Sequence, residues 1–181
     1  MPMMSRQGRF RYAEGDGLKL LELPYGEGDL AMVVLLPDEV EGLAELEARL
    51  TAEDLDRWLS GLGSREVQVS LPRFTMRSRF KLAETLESLG MTLAFSPGRA
   101  DFSGMASQDA LSISQVVHEG FVDVNEEGTE ATAATGVVMT RTSSAPSRPV
   151  EFRDDHPFLF LIRDSRTGSI LFLGRLKDPQ D

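Results

Sequence analysis

The chain has 181 residues, a mass of 20.0 kDa and a formal net charge of −10. That length admits one ordinary domain or two very small ones, and a hydrophobic share of 41% is enough for a packed core. The absence of cysteine excludes disulfides, thiolate catalysis and zinc sites built on Cys, while two histidines are too few for most transition-metal clusters; an acidic surface also repels phosphate backbones.

No internal repeat occurs, and no apolar run reaches the roughly 20 residues of a membrane span. The opening MPMMSRQGRF has no long apolar stretch and does not form a secretory signal. Leu18 to Pro24 and Leu30 to Leu36 flank turn residues at 25–29 and predict a β-hairpin. The second run, LAMVVLL, does not alternate, so it is expected to be buried on both faces. Leu43, Leu46 and Leu50 share a helical face. Thr51 opens a second helix with a capping-box-like T-A-E-D, and Leu55, Trp58, Leu59 and Leu62 form its apolar stripe, with Trp58 as a packing residue. Glu66 to Phe74 alternates as a strand. Phe80 to Leu89 predicts a helix stopped by Gly90, and 96–104 a loop.

Val116 to Asn125 alternates strictly, with Val116, His118, Gly120, Val122 and Val124 on one face. That placement predicts a buried His118 imidazole that must find partners. Phe158 to Ile162 and Ile170 to Leu173 are apolar without alternation, which predicts two strands covered on both sides and joined by a hairpin turn. His156, before Pro157 at a strand start, reads as structural, and neither histidine belongs to a Ser/His/Asp motif. Several strands and three helices make the chain α+β with mixed sheets.

Residues 126–150 break the pattern, because 25 residues far exceed an ordinary connection. Every second residue gives Thr129, Ala131, Ala133, Thr135, Val137 and Met139, a set without charge. Such a segment can exist as a loop, or as a central strand with that set inward and Glu130 outward. On composition alone a solvated loop with accidental alternation is the simpler reading. Residues 140–149, rich in Arg, Ser, Thr and Pro, suit an exposed stretch open to proteases.

Four stretches together resemble the serpin family of serine protease inhibitors. VHEGFVDVNEEGTEATAA (117–134) resembles the strand leading into the reactive-loop hinge, and DHPFLFLIRDSRTGSILFLGRLKDP (155–179) the C-terminal signature. LELPYGEGDLAMVVLLPDE, ending at Glu39, resembles the sheet-B hairpin, and MMSRQGRFRY (3–12) the strand before it. The hinge and the C-terminal signature are the specific motifs. Serpins are about twice this length, so the resemblance makes residues 1–181 the C-terminal portion of a serpin domain. It then implies a partial serpin fold, a missing N-terminal half, and nothing about secretion from the opening residues.

The resemblance implies a suicide-substrate inhibitor of a serine protease, not an enzyme, with no cofactor, metal, nucleic acid or membrane partner and an extracellular setting. The hinge would be Glu126, Glu127, Gly128, Thr129, Glu130, Ala131, Thr132, Ala133 and Ala134. Fourteen positions beyond Gly128 lies Thr142, which puts the scissile bond at Thr142–Ser143. A loop one residue shorter puts it at Arg141–Thr142, which suits a trypsin-like protease. His118 matches the histidine under the opening of the large sheet, and Arg73 with Glu126 matches a hinge ion pair. The alternatives are a non-inhibitory serpin (a carrier, chaperone or storage protein) and an inactive truncated serpin.

Overall fold

In the computed structural model, residues 3–26, 28–106, 111–125 and 148–178 are described. They contain nine strands, β1 (Met3–Gly15), β2 (Leu18–Pro24), β3 (Leu30–Pro37), β4 (Gly63–Pro72), β5 (Phe74–Lys81), β6 (Val117–Val124), β7 (Val150–Arg153), β8 (Phe158–Asp164) and β9 (Ile170–Leu176). Three helices accompany them, α1 (Leu43–Arg49), α2 (Ala52–Ser60) and α3 (Ala83–Ser88), as does a short 3₁₀ turn, Leu93–Phe95. Two compact units result, one from residues up to Phe74 and from Val124 onward, the other from Thr75–Asp123.

The larger unit is built on a seven-stranded sheet in the order β7-β4-β1-β2-β3-β8-β9. All its pairings are antiparallel except β4 with β7. The β2–β3 hairpin forms as its pattern predicts, with Leu20 opposite Leu35 and Leu21 opposite Val34. Strand β3 then pairs with β8, Val33 opposite Leu161 and Val34 opposite Phe160. One face of this central group packs against α1 and α2 through Leu18, Leu20, Val33, Leu35, Leu43, Leu46, Leu55, Trp58, Leu159 and Leu161. On the other face Phe74 meets Phe158 and Phe160 at ring distances of 5.9 and 5.6 Å. Both faces of β3 are therefore dry, which is why its sequence does not alternate.

Helix α2 starts where Thr51 caps it. The Thr51 hydroxyl oxygen accepts the Asp54 N–H at 3.1 Å and donates to the Asp54 carboxylate at 2.7 Å. The capping reciprocity thus runs through the hydroxyl proton rather than the Thr51 N–H. Trp58 is a packing residue, with its indole N–H on Asp16 at 3.3 Å and the Arg49 guanidinium 5.8 Å over its ring.

Two expectations fail, and one strand was not anticipated. The predicted helix at Phe80 starts later, because Phe74 to Lys81 alternates with period two and β5 runs through Phe80. Only Ala83–Ser88 is helical, and none of its residues is buried. The last strand is not covered on two sides, since Ile170, Leu171, Phe172 and Leu173 are 44–57% exposed. Its neighbour in the sheet is β8 on one edge, with no further strand beyond it among the described residues. Strand β7 was not foreseen, although Val150 and Phe152 alternate with Glu151 and Arg153.

Gly174 shows a close approach in this sheet. It lies opposite Phe160 on β8, and a Cβ there would fall 2.5 Å from the Phe160 ring. Gly174→Ala is expected to destabilise the chain by about 1–3 kcal/mol through overpacking. A urea titration followed by Trp58 fluorescence checks this, and an unchanged midpoint would contradict it.

Candidate functional site

The long connection leaves β6 after Val124 and enters the seven-stranded sheet again at Val150. The hinge residues Glu126 to Ala134 and the reactive-bond residues Arg141, Thr142 and Ser143 lie outside the described residues. What can be described are its two flanks.

On the entry side, β5 and β6 form a two-stranded sheet. The Thr75 hydroxyl donates to Asp123 at 3.1 Å, Arg77 pairs with Glu119 at 3.2 Å and lies 5.4 Å from the Phe121 ring, and Phe80 stacks on His118 at 6.4 Å. These contacts, with the Leu82 N–H on the Val116 carbonyl at 2.9 Å, run in opposite directions along the two strands, so the pair is antiparallel. His118 is exposed, which corrects the buried placement read from the alternation. The reason is that β5 alone pairs with β6 among the described residues, and Phe80 and Phe121, on opposite faces of this pair, are each more than half exposed. Arg73 is exposed at the break between β4 and β5 and is engaged in an interaction of its own; its expected partner Glu126 lies outside the described residues.

On the exit side, β7 runs parallel to β4 with Val67 opposite Val150 and Val69 opposite Phe152. Four residues make a short strand, and one side chain anchors it. Phe152 is fully buried and meets Tyr12 edge-on at 6.4 Å. Burial, helped by a hydrogen bond to Glu14, pushes the Tyr12 phenol well above its ordinary range and keeps it neutral. After β7 comes a polar knot. Arg153 donates to Asp155 at 2.7 Å, His156 Nδ1 lies 3.1 Å from the same carboxylate, and His156 Nε2 lies 2.7 Å from the Pro37 carbonyl. The bonds from His156 and then Arg153 hold Asp155 below the usual carboxylate range. His156 thus ties the start of β8 to the end of β3, a structural role.

Away from these flanks, Arg175 Nη1 on β9 donates to both carboxylate oxygens of Glu47 on α1, at 2.7 and 3.0 Å. Among the described residues no three His, Cys, Asp or Glu side chains gather as a metal site, and no helix is long and apolar enough to cross a membrane. Phe152 and β7 escaped the sequence reading because the strand is only four residues long.

The serpin (serine protease inhibitor) family model matches residues 1–179, and the chain belongs to the serpin family. It is 49% identical to human Serpin B4 over 98% of its own length and 46% of that protein. With human leukocyte elastase inhibitor it shares 45% identity, over 98% of this chain and 48% of the relative. The crystal structure of uncleaved ovalbumin superposes with a TM-score of 0.76 at 38% identity, over 96% of this chain and 43% of the other. The chain therefore spans about half the length of the relatives it matches.

Since Phe152 is the apolar anchor of β7, Phe152→Ala is expected to cost about 3–5 kcal/mol of stability. The predicted sign is a fall in the urea midpoint accompanied by easier tryptic digestion after Arg153. A variant as stable as the parent would show that β7 is not held this way.

Proposed function

We propose that the whole protein to which these residues belong inhibits a serine protease as a suicide substrate, and that residues 126–150 are its bait. The observation that carries this reading is the uncharged, small alternate set Thr129, Ala131, Ala133 and Thr135, followed by Arg141 and leading into a strand anchor at Val150. A protease attacks the scissile carbonyl and becomes acylated. The cut segment then enters a sheet as a new strand, a mode for which the family is itself a standard example. About 15 residues at about 3.4 Å each displace the tethered protease by roughly 50 Å. A charged or bulky side chain in the inward set would slow insertion and let deacylation win.

Glu126 to Ala134 act as hinge in this proposal, with His118 at the sheet opening and Arg73 with Glu126 as an ion pair worth about 0–1 kcal/mol at a surface. The bait bond is Arg141–Thr142 for a trypsin-like target, and Thr142–Ser143 by position. The family description is that of an inhibitor, so no enzymatic activity is assigned. The extracellular setting stays part of the proposal, and a chain without cysteine is chemically indifferent to an oxidising compartment. The inserting strand needs a neighbour on each side. Among the described residues β6 has one partner, β5, so they offer the inserting strand a single wall. We assign the 181-residue chain the behaviour of a substrate, with trapping a property of the complete sheet.

Digestion with trypsin and chymotrypsin, followed by N-terminal sequencing of the released fragment, tests this. Trypsin is expected to give a first fragment beginning at Thr142, a cut that Arg141→Ala removes, with no complex surviving boiling in detergent. First cleavage elsewhere, with 126–147 left whole, would overturn the bait assignment. A boiling-resistant complex would overturn the single-wall argument.

A further inference from the structure

Asp154 is a buried acid that the bait reading leaves unused. It follows β7 directly and is fully buried. Neither of its carboxyl oxygens has a hydrogen-bond partner among the described residues. Its backbone N–H donates to the Ser70 carbonyl at 2.9 Å, one position past the last β4–β7 pair, Ser70 with Arg153. The strand is thus pinned to β4 next to a side chain that is costly to bury ionised.

Among the described residues no basic side chain stabilises its charge. β4 brings Val69, Ser70, Leu71 and Pro72 alongside, and β1 sets Met3, Met4 and Ser5 against the last three of these. The first cation along that register is Arg6, opposite Val69, which lies 6.0 Å from the Phe10 ring. On the segment of Asp154 itself, Arg153 and His156 both turn to Asp155. Asp155 adds repulsion. Burial first, and Asp155 second, raise the Asp154 carboxyl well above its ordinary value.

We propose that Asp154 is a pH-sensitive latch on β7: protonated, it lets the strand stay docked on β4; ionised, it favours release of the strand and so of the C-terminal anchor of residues 126–149. The sign follows from linkage. In the docked state the carboxyl keeps its proton, while in the released state it ionises at the ordinary value. Docking is strongest in acid, weakens as pH climbs above the ordinary carboxylate range, and stops weakening once the buried group itself ionises. Within that window the opening constant rises about tenfold per pH unit. The latch concerns β7 alone and does not depend on the bait reading.

Hydrogen exchange across pH 5–8, corrected for intrinsic rates, tests it on the 181-residue chain. The amide of residue 154 reports β7, and that of Val33 in the central strand reports global opening. Protection at residue 154 is expected to fall about tenfold per pH unit over part of this range and to lie well below that of Val33 throughout, the mark of an opening of β7 short of global unfolding. Asp154→Asn should flatten the slope at 154, and Asp154→Ala carries the same expectation should the Asn variant not fold. A level wild-type profile, an equal slope in the variants, or protection at 154 equal to that at Val33 would each overturn the latch. Failure of trypsin to cut at Arg141 leaves this readout untouched, so the two ideas fail separately.

Discussion

Strand β3 is paired on both edges and dry on both faces, and the rest of the larger unit depends on it. Its partners come from opposite ends of the chain, β2 immediately before it and β8 more than a hundred residues later. Val33 and Val34 have no exposed surface, and Leu161 opposite Val33 has none either. At about 25 cal/mol per Å² of apolar area, such fully buried aliphatic side chains contribute about 1.5–3 kcal/mol each. No other ladder in the sheet combines that burial with so long a separation along the sequence. It fixes β8, and through the His156 bond to the Pro37 carbonyl it fixes the stretch just after β7.

That arrangement places the two flanks of residues 126–149 on unlike footings. The entry flank lies on a two-stranded sheet in which Phe80 and Phe121 are each more than half exposed. The exit flank is a four-residue strand held by one phenylalanine and burdened by one unpartnered acid. A strong apolar anchor next to a buried carboxyl is a local conflict of interactions. Conflicts of this kind belong to places where a structure has two states close in free energy.

Much of the fold was legible because its signals are local. LAMVVLL announced a strand covered on two sides, Thr51 announced a helix start, and Val67, Val69 and Leu71 announced their own inward face. The misreadings came from context that a sequence does not carry. Phe80 lies where a period-two strand meets a leucine-bearing segment, and the leucines outweighed the alternation. His118 and Ile170 to Leu173 look like interior residues, yet each is exposed because its strand is paired on one side only among the described residues. Asp154 carried no signal at all, since an Asp-Asp pair ordinarily marks a wet turn. The expected hinge rests on the resemblance alone, because small alternating residues fit a loop equally well.

The β3–β8 ladder also has a consequence for biosynthesis. Between Pro37 and Phe158 the ribosome must add 120 further residues before the far edge of β3 can be satisfied. At about 5–20 residues per second, that is roughly 6–24 s during which a strand with hardly a polar side chain waits with an open edge. A nascent chain in that condition offers an apolar, unpaired edge to non-native pairing. Its early, helix-covered portion can condense on one side, but the molten edge closes only when the final hairpin emerges from the exit tunnel.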